Sequence, residues 1–234
     1  VLSFALTILT LWKLLVPLYL RGHNPIWVGL AVTLLLTAMI IGLVYGFDRR
    51  CLSAVSGAFL GILVTCVLGM IFTDVFKIHG AVMAYSESLL YSGYQDLDLT
   101  QIFMASIFLG SSGAVIDLSV DITSAIKEVV DKRPDIGRWE AVRSGLNVGR
   151  AAMGTMTTTL LLAYSGGYIA LLMVFMAQGT PLYNILNYKY VAAELIHTII
   201  GSFGLVTVAP FTALTAGTLL ARGREKAAQA ESET

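Results

Sequence analysis

The chain reads as long apolar blocks cut by short polar punctuation. A helix that crosses a bilayer needs about 20 mostly apolar residues at a rise of about 1.5 Å each. Six blocks meet that length: 1–20, 26–47, 52–76, 99–126, 145–165 and 191–221. The separators carry turn chemistry, namely Arg21-Gly22-His23-Asn24-Pro25, Asp48-Arg49-Arg50 and the charged stretch 127–143. Residues 168–178, after Gly166-Gly167, are apolar but cover only about half a crossing. They are expected to extend the preceding helix or to form a re-entrant piece, with Gly179-Thr180-Pro181 as the break. Residues 80–95 predict a short amphipathic helix along the membrane surface, with Tyr85, Tyr91 and Tyr94 in an interfacial belt.

Composition turns this pattern into a fold class. Apolar residues make up 56% of the 234 residues, charged residues 13%, and mean hydropathy is +0.78, against about 25% charged in an ordinary globular protein. So few charges do not cover a water-facing surface. The expectation is an all-α, polytopic membrane protein with six transmembrane helices and the lipid bilayer as its first partner. Fifteen basic and fifteen acidic residues cancel, so no net charge points to nucleic acid, and the meaning lies in where the charges sit.

Arg49, Arg50, Lys127, Lys132, Arg133, Arg138, Arg143, Arg222, Arg224 and Lys226 fall at one set of helix ends; Lys13, Arg21, Lys77 and Lys189 fall at the other. Ten against four is a positive-inside asymmetry. It places the 127–143 loop and the C-terminus in the bacterial cytoplasm, and segments 77–98 and 168–190 outside the inner membrane. The tail 222–234 is polar and reads as unstructured. The chain begins at Val1 inside an apolar run with no signal-peptide pattern, so upstream helices and an extracytoplasmic domain are expected to precede it. Cys51 and Cys66 on one helix would lie roughly 22 Å apart, too far for a disulfide, and read as small buried residues.

A charge at mid-bilayer costs about 2.5–3.5 kcal/mol on insertion scales, so each one calls for a reason. Asp117 and Asp121 are four apart and share one face of a helix with Gly110, Gly113 or Ala114, and Ser124. That small, polar face is expected to look into a helix bundle. Arg150 lies seven residues into the next apolar block, followed at helical spacing by Gly154, Thr157 and Thr158. Either it snorkels to the near surface, or it pairs with Asp117, so that loading a proton or cation onto the Asp releases the Arg. Glu194 and His197, three apart on the last helix and on one face with Gly201 and Gly204, read as an ion site at the outer mouth or as an interfacial pair. Asp74 sits where an interfacial carboxylate is ordinary. Gly42/Gly46, Gly57/Gly61 and Gly145/Gly149 have the spacing of close helix packing, and the run KEVVDKRPDIGRWE predicts a charged helix–turn–helix cap.

The sequence holds no metal-ligand cluster, no phosphate-binding glycine loop and no nucleophile elbow, so neither an enzyme nor a cofactor is expected. An aspartyl protease needs two carboxylates facing each other, whereas residues four apart stack along one helix.

Three stretches, GSSGAVIDLSVDITSAIKE, IGRWEAVRSGLNVGRAAMGTMTTTLLLAYSGG and AAELIHTIIGSFGLVTVAPFTAL, together with LVPLYLRGHNP and GLVYGF, resemble the bacterial YibE/F membrane protein family over nearly the whole chain. More distantly, DLDLTQIFMASIFLGSSGAVIDLSVDITSAIKE and NVGRAAMGTMTTTLLLAYSGG are similar in pattern to the fourth and fifth helices of SecD/SecF and of resistance–nodulation–division (RND) transporters. That resemblance puts Asp117 at the key acidic position, with Arg150, Thr158 and Thr159 also matching. Asp121 falls where those proteins carry an apolar residue, their second Asp is Leu118 here, and 168–190 looks like an insertion. The resemblance implies one half of an RND-type core, which two copies would complete as a homodimer. The favoured function is a proton- or sodium-coupled secondary transporter or export accessory, with Asp117, Asp121, Arg150, Thr157 and Thr158 as the relay. The alternatives are a passive channel-like protein and a non-transporting scaffold. Nothing in the residues names a small-molecule or polypeptide substrate.

Overall fold

A computed structural model describes residues 2–232, and the regular elements among them are all helical. In chain order, α1 covers Leu2–Leu20, α2 Pro25–Tyr45, α3 Arg49–Val75, α4 Ser86–Tyr91, α5 Leu99–Lys132, α6 Arg138–Gly167, α7 Ile169–Ala177, α8 Leu182–Asn187 and α9 Lys189–Ser232. Among the described residues α1, α2, α3, α5 and α9 are each long and apolar enough to cross a membrane, and a sixth crossing exists if α6 and α7 count as one span bent by 62°. The expected apolar segment 168–178 therefore does continue the preceding helix, but past a corner at Tyr168. Gly154, Thr155, the Thr157–Thr159 run and Ser165 make α6 less apolar than its neighbours.

Local chemistry sets the helix boundaries. Asn24 caps α2, its Oδ1 accepting from Ile26 N (3.1 Å) and Trp27 N (3.3 Å), with Pro25 at the first helical position. Asp48 accepts from Arg49 N at 2.6 Å to start α3, and Asp98 accepts from Gln101 N at 3.0 Å to start α5. In α1, Pro17 lacks the N–H that would bond the Lys13 carbonyl. The helix widens to a π-turn over Leu11–Leu15, where Val16 N donates to Leu11 O. The polar tail differs from expectation: residues 222–232 continue α9 as helix, as suits a segment rich in Ala, Glu, Lys and Gln, while 233–234 lie outside the described residues.

α9 is the centre of the bundle, packing against α3, α5 and α6, while α2 leans on α5 and α3. The principal core joins Ile62, Phe108, Leu118, Ile122, Leu205 and Val208, all nearly inaccessible. α1 is peripheral, and Leu15 is its buried residue among those described. Two of the three glycine pairs do pack closely. A Cβ on Gly57 would lie 2.6 Å from Thr212 Cα, and one on Gly61 2.8 Å from Val208 Cβ, so α3 and α9 touch nearly backbone to backbone. Gly145 and Gly149 likewise seat Ile126 and Ile122 of α5. Gly42/Gly46 overturns its expectation: a Cβ on Gly42 would meet open space, and Gly46 ends α2 with φ +71°, which is turn chemistry rather than packing.

Residues 77–98 do not form one amphipathic helix. Tyr85, at φ +64°, separates a 3₁₀ turn over Gly80–Val82 from the single-turn α4. Tyr85 and Tyr91 stand out from the surface at 86% and 88% exposure, as an interfacial belt requires. The segment is tied to the bundle where Gly80 N donates to Thr100 Oγ1 at 3.2 Å, so close to the Leu99 carbonyl that a Cβ has no room. At the opposite end the α5–α6 turn is the expected charged cap. Lys127 pairs with Asp131, Lys132 with Glu128 at 2.7 Å, and Arg133 with Glu140 at 3.0 Å. Cys51 and Cys66 are both buried on α3 as free thiols, and Asp74 is exposed one residue before the end of that helix.

Candidate functional site

Two polar sites are built into the apolar bundle, and α5 passes both. The first is the Asp117 face. α5 buries Phe108, Val115, Leu118, Ile122 and Ile126 against the rest of the core. A helix that spends its bulky residues this way leaves the opposite arc uncovered, and here that arc is Gly110, Gly113, Asp117, Asp121 and Ser124, all exposed. The predicted shared face is therefore present. The expectation that it looks into the bundle of its own chain is overturned, because no helix of the single chain covers it. A Cβ on Gly113 would meet nothing within 4 Å. Tyr45, at the end of α2, closes one edge: its hydroxyl lies 2.6 Å from the Val120 carbonyl and 2.6 Å from Ser124 Oγ.

Arg150 is also exposed. Among the described residues no ion pair joins it to Asp117, so the expected pair is not made within the single chain. The reason lies in the seating of α6. Gly149 faces Ile122 and Ala209, which turns the next residue about 100° around the helix and away from the contact. Thr157 is half-buried and Thr158 exposed. Thr158 donates to the Gly154 carbonyl at 3.2 Å and Thr159 to the Thr155 carbonyl at 3.0 Å. Their hydroxyl protons serve their own helix, which leaves oxygen lone pairs for water.

The second site lies at the bundle end that carries residues 77–98. Glu194 and His197 do come together, with His197 Nδ1 3.9 Å from Glu194 Oε2. Tyr168 at the α6–α7 corner donates its hydroxyl to the same carboxylate oxygen at 3.0 Å, and Phe103 of α5 meets the His197 ring edge to face at 6.3 Å. These groups border an open cavity of about 630 Å³ whose wall also includes Ser106, Leu171 and Tyr190. A smaller apolar hollow of about 150 Å³ lies against the same carboxylate, between Leu161, Phe175 and Leu195. Gly201 and Gly204, on the Glu194 face of α9, are packing residues. A Cβ on Gly201 would lie 3.3 Å from Ser111 Cβ, and one on Gly204 3.0 Å from Thr65 Cβ.

Sequence reasoning missed Tyr168 and Tyr190. The available signal was weak: a tyrosine just after Gly166-Gly167, and a Tyr188/Tyr190 pair next to the last apolar block. No group of three or more His, Cys, Asp or Glu among the described residues is placed to hold a metal ion.

Comparison with curated proteins and with solved structures gives no match, so the similarity to SecD/SecF and RND helices finds no support there. The family profile described as YibE/F-like protein matches residues 1–222. That span includes all of α1 to α8, the α9 crossing and both polar sites, and on it the chain belongs to the YibE/F-like protein family.

Proposed function

We propose that the chain is the membrane core of a proton- or sodium-coupled transporter or export accessory of the bacterial cytoplasmic membrane, with Asp117 as its coupling group. One observation carries this reading: two carboxylates, Asp117 and Asp121, lie on one small-residue face of a membrane-length helix, open to whatever covers that face. Ionisable groups kept in an apolar span at such cost serve ion paths more readily than packing. Proteoliposomes test the reading directly. Solute uptake or release that follows an imposed pH or sodium gradient is expected. Ion current without coupled solute movement would instead identify a channel, and no flux of either kind would identify a scaffold.

The open Asp117 face also argues for a homodimer. An uncovered carboxylate at membrane depth costs a few kcal/mol, and a second copy covers it with the same polar surface in a closed two-fold arrangement. Arg150 of the partner subunit then supplies the cation that Asp117 lacks within its own chain. Native mass spectrometry of the full-length protein in mild detergent is expected to show a dimer, lost on Asp117→Leu. A strictly monomeric protein would remove this part of the proposal.

Orientation follows from the basic residues, with the α5–α6 turn and the end of α9 in the cytoplasm and residues 77–98 outside. With the buried Cys51 and Cys66 replaced, an Asp131→Cys probe is expected to resist impermeant maleimide in intact cells and react after permeabilisation. A Tyr91→Cys probe should do the reverse. Labelling of residue 131 from outside would invert the arrangement.

A further inference from the structure

The larger cavity has a chemical character that the coupling proposal does not use. Its wall is apolar over most of its extent, with Val82, Met83, Phe103 and Leu171 contributing hydrocarbon, and it carries one carboxylate, Glu194. No Lys or Arg lines it, and among the described residues none pairs with Glu194, whose charged neighbour is His197 at 3.9 Å. The carboxylate is held rather than free to swing, since Oε2 accepts from the Tyr168 hydroxyl at 3.0 Å. A fixed negative charge in an apolar hollow attracts a cation that sheds its water cheaply.

Aromatic faces add to that preference. Phe175, Tyr188 and Tyr190 stack nearly parallel, with centroids 5.4 Å apart for Phe175–Tyr188 and 5.5 Å apart for Tyr188–Tyr190. Tyr190 brings this stack to the cavity wall beside Glu194. Aromatic rings next to a carboxylate suit an organic cation, through the ring quadrupole and the opposite charge together. A bare metal ion is a poor fit, because one carboxylate and one imidazole supply too few ligands. A volume of about 630 Å³ falls within the usual range for a small-molecule site, and the adjoining apolar hollow offers room for a second hydrocarbon arm.

We propose that this cavity binds a hydrophobic organic cation, with Glu194 as the counter-charge, Tyr168 fixing that carboxylate, and Tyr190 supplying an aromatic wall. The proposal deepens the transporter reading by naming a substrate class. Its test needs no gradient, so its outcome is separate from that of coupling at Asp117.

Equilibrium binding of radiolabelled tetraphenylphosphonium to the full chain in a neutral detergent is the experiment, with triphenylphosphine oxide as the neutral analogue and tetraphenylborate as the anionic one. Wild type is expected to bind tetraphenylphosphonium far better than either analogue. Glu194→Gln keeps the shape and removes the charge, and is expected to weaken cation binding by about tenfold or more while changing the neutral analogue less than about twofold. Tyr190→Leu should weaken the cation about threefold, and Tyr190→Phe should match wild type. Adding phosphatidylethanolamine to the micelles separates a free cation from a lipid ammonium: competition by this lipid assigns the same chemistry to a headgroup, and no competition assigns it to a soluble cation. Equal binding of tetraphenylborate, or unchanged cation binding by folded Glu194→Gln, overturns the proposal. Should Glu194→Gln fail to fold, the Tyr190 pair decides, and equal binding by its Leu and Phe variants overturns it as well.

Discussion

Asp117→Asn is expected to reduce gradient-driven flux to background while the protein still folds and melts within a few degrees of wild type. The expectation of intact folding comes from the structure. Asp117 is exposed in the single chain and has no ion pair with Arg150 there, so the amide removes no intrachain contact and relieves an uncovered charge. The expectation of lost flux comes from proton chemistry. Burial and a neighbouring guanidinium act in opposite directions on a carboxylate's affinity for a proton. A carboxylate that meets a guanidinium only in one state of an assembly can therefore take up a proton on one side and release it on the other. An amide has no proton to exchange in this range. Asp121, one turn away on the same face, adds like-charge repulsion, so the pair titrates together. Asp121→Asn is expected to shift the pH dependence of flux without abolishing it. Arg150→Lys keeps the charge but loses the planar fork and is expected to slow flux less than Asp117→Asn does. A structural ion pair gives a different pattern, in which Asp117→Asn lowers melting temperature and activity in proportion. Full flux from Asp117→Asn would sink the coupling role outright.

The second large effect concerns packing between helices. Gly57→Ala is expected to destabilise the bundle by about 1–3 kcal/mol, the usual cost of overpacking, and Gly145→Ala by a similar amount. The two differ in what their new methyl meets. At Gly57 a Cβ lies 2.6 Å from Thr212 Cα, whereas at Gly145 it meets the outer carbons of Ile126, with Cγ1 at 2.8 Å, and Ala213 only at 3.4 Å. Trimming the partner therefore helps in one case and not in the other. Ile126→Ala, which on its own leaves a cavity, is expected to lose little further stability once Gly145→Ala is present. Thr212→Ala is expected to leave the Gly57→Ala defect unchanged, because a backbone atom remains in the way. Double-mutant cycles on thermal melting in detergent read this directly. Equal rescue at both positions would contradict the close α3–α9 approach.

These cases also show what the residue pattern conveys and where it stops. Apolar block length locates the spans, since crossing a membrane is a local requirement on sequence. The caps at Asn24, Asp48 and Asp98 refine their ends, which is why α3 starts before its apolar block does. Glycine spacing located real contacts at Gly57/Gly61 and Gly145/Gly149 but not at Gly42/Gly46, because spacing says nothing about whether another helix lies opposite. The polar face of α5 was legible for the same reason that its exposure was not: periodicity defines which side chains share a side, and only assembly defines what that side meets. Tyr168 and Glu194 are separated by 26 residues, and the corner that joins them depends on how α6 leaves the core, which no short window of sequence encodes.

The seating of α6 has a mechanical consequence. Its first half is pinned where Gly145 and Gly149 receive isoleucines of α5, while its second half, largely exposed, ends at Tyr168. The helix is thus a lever with its fulcrum at Gly149, Arg150 beside the pivot and the Glu194 contact at the far tip. At about 1.5 Å per residue the long arm measures roughly 28 Å. A tilt of about 10° carries the tip through about 5 Å and Arg150 through about 0.3 Å on that rise. A small displacement at the charged face thus becomes a large one at the cavity, and a ligand that holds the tip also holds the pivot.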